Sequence, residues 1–335
     1  MDVALPASHR SRVEIVDQLR GIASLMVACF HLYPKTLATS AIAAIAGFGW
    51  LGVHVFFVIS GFVLPYALAR GGYAGRRDYG RFVLRRLIRL EPPYFAAILI
   101  CLILWYGGTV TPGFHGEPFE FDGLRLLAHV GYLTALAGYR WYEPVFWTLS
   151  IEFQFYLFIG LLAPLALRRA PWAATLAAVV LAAAAETCPD PRLLPHWLGL
   201  FSAGYLAFQR RERLIPAVVF LAALTLVIAI DFHVLGAAIC GTAAVSALLI
   251  AEADVPSQHS LAALGAISYS LYLVHVPVGG RVVNLGLRFG HSDTWQILLS
   301  VLALAISLLT ACGFYLWIEK PALRWSHAVS YRRGE

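Results

Sequence analysis

The chain has 335 residues, 60% of them hydrophobic and only 13% charged, with a mean hydropathy of +0.73. Soluble domains carry about 25% charged residues, so water could not solvate a surface this poor in charge, and a soluble globular protein is excluded. The net charge of +6 sits in short loops between apolar runs, a pattern that fits membrane topology and not nucleic-acid binding.

A helix needs about 20 apolar residues to cross the hydrocarbon core. On that measure the sequence predicts an all-α, polytopic transmembrane bundle of about ten spans, over 14–33, 48–69, 88–107, 145–167, 172–187, 193–208, 214–231, 233–251, 262–283 and 295–318. The fifth and sixth are short. Segment 123–137 is apolar, carries Arg125 and His129 and is too short to span, so it is expected as an interfacial or re-entrant helix in a long loop. No linker, low-complexity tract or internal repeat divides the chain, and residues 1–335 read as one domain.

Orientation follows from the basic residues. With the N-terminus in the cytoplasm, the inside segments hold Arg10, Arg12, Arg20, the run from Arg70 to Arg89, Arg168, Arg169, Arg210, Arg211, Arg213 and the basic C-terminal tail, 19 of the 25 lysines and arginines. The outside holds Lys35, Arg125, Arg140, Arg192, Arg281 and Arg288. Both termini are therefore expected in the cytoplasm. Met26-Val-Ala-Cys29 resembles a lipoprotein cleavage box only faintly, and Asp17 and Arg20 interrupt the apolar stretch before it, so a retained first span is expected. None of the five cysteines forms a C-x-x-C, and four lie in apolar segments, which points to packing and not to a disulfide framework or zinc site.

Ionisable groups inside spans are costly and mark function by default. The first span carries Asp17, Arg20, Ser24 and His31. At about 100° per residue these four fall on one stripe, with Arg20 about 16 Å along the axis from His31. The stripe must face the bundle interior or a watery cavity. His31 taken alone also fits a histidine at the membrane edge, since Pro34 ends the helix nearby. At the third span, Arg85 and Arg89 are four residues apart and Arg86 and Arg89 three, so they cluster on one side of a helix. Arg76 and Arg77 read as ordinary anchors. Arg86 and Arg89 enter the span, where a buried arginine cluster suits a phosphate-bearing ligand. In the fourth span Glu152 shares a face with Tyr156 and is either an ion-pair partner for an arginine or a catalytic acid or base. In the ninth, Ser268, Tyr272 and His275 share a face, as a hydrogen-bonded seam or as part of a site.

Together these segments resemble the acyltransferase-3 family of membrane acyltransferases, which includes bacterial polysaccharide O-acetyltransferases. The resemblance covers nearly the whole chain. It rests on Asp17-Gln-Leu-Arg20-Gly-Ile-Ala with His31 eleven residues after the arginine, on Gly52-Val-His-Val-Phe-Phe-Val-Ile-Ser60-Gly61-Phe62, and on Arg86-Leu-Ile-Arg89. Trp147-Thr-Leu-Ser-Ile-Glu152, Ile267-Ser-Tyr-Ser-Leu-Tyr272-Leu-Val-His275 and Glu319-Lys-Pro321 complete it. His54 departs from the pattern, standing where an acidic residue is common, which bears on acceptor contacts. The chain resembles the stand-alone type seen with exopolysaccharide modification, without the esterase-like domain of some relatives.

The resemblance implies an integral protein of the bacterial inner membrane and no bound cofactor. Acyl-CoA, usually acetyl-CoA, would be the co-substrate from the cytoplasm, and a saccharide or lipid-linked saccharide hydroxyl the acceptor. A sugar hydroxyl is a poor nucleophile until a base takes its proton, and an imidazole has a suitable pKa. His31 is thus expected as general base, Arg20 to orient the donor or hold developing charge, and Glu152 to position His31 or the acceptor. Arg86 and Arg89, with Arg85 beside them, are expected on the phosphates of coenzyme A. Asp17, Ser60, Tyr272 and His275 are expected in support. The rival reading is a transporter or flippase for lipid-linked saccharides that uses the same polar stripe as a pathway. It lacks the paired Gly- or Pro-broken helices that would support it.

Overall fold

In hydrocarbon every backbone polar group must be satisfied within its own segment, so long apolar runs fold as helices. The computed structural model describes residues 13–33, 41–111, 116–167, 170–188 and 190–331, and those residues fold into helices without strands. Arg10, Arg12, Pro34, Lys35, Arg168, Arg169, Arg332 and Arg333, used above for orientation and helix ends, lie outside the described residues.

In chain order the helices are α1 (Glu14–Leu32), α2 (Ala41–Gly47), α3 (Gly52–Arg70), α4 (Tyr79–Thr109), α5 (Gly123–Val130), α6 (Trp147–Ala166), α7 (Pro171–Ala182) and α8 (Ala184–Thr187). They continue with α9 (Leu198–Arg211), α10 (Ala217–Glu252), α11 (His259–Ala266), α12 (Ser268–Val274), α13 (Gly280–Gly286), α14 (Asp293–Phe314) and α15 (Lys320–Ala328). Six helical stretches are long and apolar enough to cross a membrane: Glu14–Leu32, Ala44–Arg70, Tyr79–Thr109, Pro144–Pro164, Ala217–Glu252 and Asp293–Ala328. A seventh is counted if His259–Ala266 and Ser268–Gly286, bent by 54° at Ile267, form one span.

The remaining expected spans take other forms. The fifth becomes α7 and α8, and the sixth becomes α9, whose 14 residues reach only about 21 Å. Length is not what α9 needs, because nearly every residue of it is buried among α3, α7 and α10. The seventh and eighth are joined in α10, which breaks at Gly236 (φ 79°, ψ 169°). Leu224 and Leu248 would lie about 36 Å apart on a straight helix, yet both line one groove, so the two limbs fold back on each other. Gly236 permits the turn because it has no Cβ to clash at positive φ.

Helix α4 runs unbroken through Pro92 and Pro93, which removes the N–H groups that would bond the carbonyls of Ile88 and Arg89. The loop helix α5 stops earlier than expected, at Val130, because Tyr132 adopts a positive φ of 56° and its carbonyl accepts the Ser150 hydroxyl at 2.7 Å.

Two glycine crossings set the bundle. A Cβ on Gly61 of α3 would strike the Phe201 carbonyl of α9, and one on Gly204 would strike the Val58 carbonyl, so the two helices meet backbone to backbone. Gly21 of α1 and Gly265 of α11 form a second such pair, with Gly265 seated on the Asp17 carbonyl. Small residues permit this approach where apolar lipid gives no hydrophobic drive between helices.

The basic segments gather at one end of the bundle. Arg70 pairs with Glu212, Arg210 with Glu252 and Arg211 with Asp254, while Arg81 donates to the Tyr331 carbonyl and Arg85 meets His327. Gln18, near the start of α1, donates to the Pro256 carbonyl. The start of α1 and the last described residues therefore lie at this same basic end. The opposite end holds the α5 loop, where Arg125 lies over the Trp105 and Tyr142 rings and donates to the Arg140 and Trp141 carbonyls.

Candidate active site: two chambers with a shared wall

Helices α1, α3, α4, α6 and α12 surround an inner chamber. Arg20, Ser60, Arg86, Arg89, Glu152 and Tyr272 all line it. Residues 248 positions apart meet there, since Arg20 Nε donates to the Ser268 hydroxyl at 3.3 Å. Glu152 accepts the Ser60 hydroxyl at 3.1 Å and the Tyr156 hydroxyl at 2.5 Å. Glu152 and Tyr156 are one helical turn apart, so the bond follows from their shared face. The carboxylate is therefore tied to hydroxyls, and among the described residues no arginine forms an ion pair with it.

Arg86 is buried against aromatic rings. Its guanidinium lies 5.4 Å from the ring centres of both Phe82 and Tyr156, and its Nε makes no hydrogen bond among the described residues. Arg89, one turn on, faces the same chamber. A guanidinium held by ring faces keeps its N–H fork available to a phosphate. Arg85 turns away: it contacts His327 Nδ1 at 2.9 Å and lies over the Tyr331 ring, outside the chamber lining.

An outer chamber lies on the far side of Val53 and Tyr272, which line both. His31 lines this outer chamber and Arg20 the inner one, so the stripe on α1 is divided between the two. The other two members of the stripe are elsewhere. Ser24 is buried and bonds back to the Gly21 carbonyl at 2.9 Å, and Asp17 lines neither chamber, its backbone carrying the α11 crossing.

His31 touches His275. Nδ1 of His275 lies 3.0 Å from the Leu271 carbonyl, so this nitrogen is assigned the hydrogen and Nε2 is an acceptor. Nδ1 of His31 lies 2.9 Å from the Val27 carbonyl and carries the hydrogen by the same argument. That N–H also faces His275 Nε2 at 3.3 Å, which leaves the basic lone pair of His31 on Nε2. His275 opens a π-helical turn, His275–Gly279, and a second one, Tyr315–Glu319, ends on Glu319. Such turns recur at functional sites. Buried Glu319 accepts the Ser270 N–H at 3.1 Å and its hydroxyl at 2.5 Å, fixing α12 between the chambers.

Tyr272 completes the wall. Its hydroxyl donates to the Val145 carbonyl at 2.8 Å and lies 2.7 Å from Thr148 Oγ1. The three polar residues that share a face of the ninth expected span are thus engaged: Ser268 with Arg20, Tyr272 in the wall and His275 with His31. Sequence reasoning assigned no role to Thr148, Tyr269 or Glu319, although all three stand in the segments that carry the family resemblance. It also missed Trp50 and Trp147, which line the outer chamber; a tryptophan in an apolar span gives no signal of which side it faces.

A family model described as an acyltransferase domain matches residues 13–317. The acyltransferase MdmB of Streptomyces mycarofaciens is 26% identical, over 93% of this chain and 92% of that protein. BcsY of Komagataeibacter xylinus, provisionally named a membrane-bound transacylase, is 27% identical over 95% of this chain and 85% of its own length. The O-acetyltransferase OatA of Staphylococcus aureus is 30% identical over 46% of this chain, which matches only 25% of that longer protein. No solved structure gives a match. With the family model spanning most of the sequence and its segments meeting around two linked chambers, the chain belongs to the acyltransferase-3 family and is a multi-pass membrane acyltransferase.

Proposed function

We propose that the protein moves an acetyl group from acetyl-CoA to a hydroxyl of a sugar or polysaccharide acceptor, with His31 as general base. One observation carries the reading: Arg20, Arg86 and Arg89 converge with Ser60 and Glu152 on a chamber that shares Tyr272 and Val53 with the chamber of His31. Coenzyme A bears a diphosphate and a 3′-phosphate, which suit guanidinium forks. Its phosphates bind Arg86 and Arg89 near the basic end, and its pantetheine arm carries the thioester along the inner chamber toward the shared wall. Nε2 of His31 takes the acceptor's proton as the hydroxyl oxygen attacks the thioester carbonyl. Arg20 steadies the charge on the carbonyl oxygen. The C–S bond then breaks, the ester forms, and the coenzyme thiolate leaves with the proton that His31 had accepted. His275 positions the His31 ring.

The names of MdmB and OatA support an acyl and O-acetyl chemistry for this chain, and that of BcsY a membrane-bound transfer. The gathering of basic residues at one end supports both termini on the cytoplasmic face, and with them an even number of crossings such as the ten read from the sequence. The test is incubation of purified protein with acetyl-labelled acetyl-CoA and candidate glycans, including lipid-linked ones. Alkali-labile label on a glycan, with release of free coenzyme A, is the expected result. Intact protein that never consumes acetyl-CoA would remove the proposal.

A further inference from the structure

The outer chamber differs in chemistry from the inner one. Among the described residues its lining includes Phe30, Trp50, His54, Trp147 and Tyr272 around His31, and no lysine or arginine. A phosphate, carboxylate or other anion would find no counter-charge among them. The side chains on offer are broad aromatic rings with neutral hydrogen-bonding groups set among them. His54 is 4% exposed and lies edge-on to Trp50, ring centres 5.2 Å apart, and 5.7 Å from Trp197. Trp197 in turn backs Trp147 at 5.3 Å. Nδ1 of His54 makes no hydrogen bond of good geometry, although the Leu51 carbonyl is nearby. Aromatic rings with a few placed polar groups are the usual lining of small-molecule sites, and this chamber has that lining.

A pyranose ring matches this surface. Its C–H faces lie against aromatic rings, its ring hydroxyls need neutral donors and acceptors, and it carries no charge. A fatty acyl chain would leave the imidazole of His54 and the Tyr272 hydroxyl without purpose, and coenzyme A phosphates would lack arginines. We propose that the outer chamber is the acceptor subsite, taking a neutral pyranoside between the Trp50 and Trp147 side chains with one hydroxyl at His31, and that His54 selects among pyranosides by hydrogen-bonding a second hydroxyl. This inference rests on the acyl-transfer reading above.

The test uses full-length protein in a detergent without a sugar headgroup, with acetyl-labelled acetyl-CoA. The acceptor probes are methyl α-D-glucopyranoside, methyl α-D-galactopyranoside and methyl α-D-mannopyranoside. Acetylated glycoside and free coenzyme A are measured separately. Acetylation of at least one glycoside is expected. Trp147→Ala should raise the glycoside KM by about tenfold or more, the scale of one lost aromatic contact, and leave the acetyl-CoA KM within about twofold. Trp147→Phe keeps a ring and should lie between wild type and Trp147→Ala, which guards against a folding defect. His54→Asp replaces a neutral group by an anion and should reorder kcat/KM among the three glycosides. Unchanged glycoside KM in Trp50→Ala and Trp147→Ala, or an unchanged rank order in His54→Asp, overturns the inference. So does consumption of acetyl-CoA with none of the glycosides acetylated, which leaves the acyl-transfer reading standing. No consumption of acetyl-CoA at all removes that reading and this one with it.

Discussion

His275 holds His31: its Nε2 faces the His31 Nδ1–H at 3.3 Å, with the ring planes inclined at 59°. The contact joins α1 to the π-helical turn after α12, across 244 residues of sequence. Carbonyls one turn back on each helix, Val27 and Leu271, set both tautomers, so the pair needs no charge to be satisfied.

A base and its positioner should differ in size of effect. His31→Gln keeps a polar side chain but cannot accept the proton, and acyl transfer should fall by about 10²–10⁴-fold with donor binding retained. His275→Ala should lower kcat by about tenfold, near the value of one neutral hydrogen bond, and leave the acetyl-CoA KM unchanged. Steady-state kinetics on both variants check this. Near-normal turnover in His31→Gln would make His31 structural and His275 the next candidate for the base.

Arg85, Arg86 and Arg89 are close in sequence but not in role. Arg86→Ala and Arg89→Ala should each raise the acetyl-CoA KM by about tenfold or more, as expected for a lost charge-assisted bond. Arg89→Lys should restore only part, since an ammonium lacks the fork. Arg85→Ala should leave that KM nearly unchanged, because Arg85 faces His327 and Tyr331. Equal effects from all three would contradict the division.

The α3–α9 crossing has no room for a methyl group. Gly61→Ala would drive a Cβ into the Phe201 carbonyl, and backbone cannot rotate aside as a side chain can. Destabilisation of about 1–3 kcal/mol is expected, read as a lowered unfolding midpoint of the purified protein. Gly241→Ala, where a Cβ meets nothing within 4 Å, is the matched control and should be neutral or stabilising.

The outer loop should be acid-sensitive. His129 is fully buried, its Nδ1 lies 2.8 Å from the Arg125 carbonyl, and its Nε2 accepts the Tyr142 N–H at 3.0 Å. Only the neutral ring can do both. Burial pulls its pKa down from 6.5 to about 4. A depressed histidine contributes stability that is complete above pH 6.5 and is lost as pH falls toward 4. At pH 5 the loss is on the order of 2 kcal/mol. Limited proteolysis of residues 116–143 should accelerate over this window in wild type. A His129→Asn variant, which does not titrate there, should show no such rise. A flat pH response in wild type would contradict the assignment.

Sidedness can be read directly. Reporter fusions after Tyr331 and within the loop before Pro144 should give opposite signals, cytoplasmic and external. The same signal from both would sink the ten-span arrangement.

Composition alone placed this chain in lipid, and continuous apolar runs of about 20 residues there fold as helices; no tertiary knowledge was needed for that. The spacing of Arg85, Arg86 and Arg89 put them on one side of a helix, and Glu152 with Tyr156 on one face, because helix geometry is local. Locality is also where the sequence reading stopped. The stripe from Asp17 to His31 is straight on α1, but which neighbour each residue meets depends on crossings made by Gly21, Gly61, Gly204 and Gly265, and glycine spacing does not name its partner. Arg85 and Arg86 differ by one position, about 100° of rotation, and that rotation sends one to His327 and the other into the chamber. The two runs that hydropathy separates turn back on each other at Gly236, a pairing hydropathy does not name, while α9 is apolar from burial in protein and not from contact with lipid, a difference hydropathy cannot express. Only the packed bundle brought His275 to His31 and set Tyr272 and Val53 between two chambers, because contacts separated by hundreds of residues are decided by how helices pack and not by the order in which they are written.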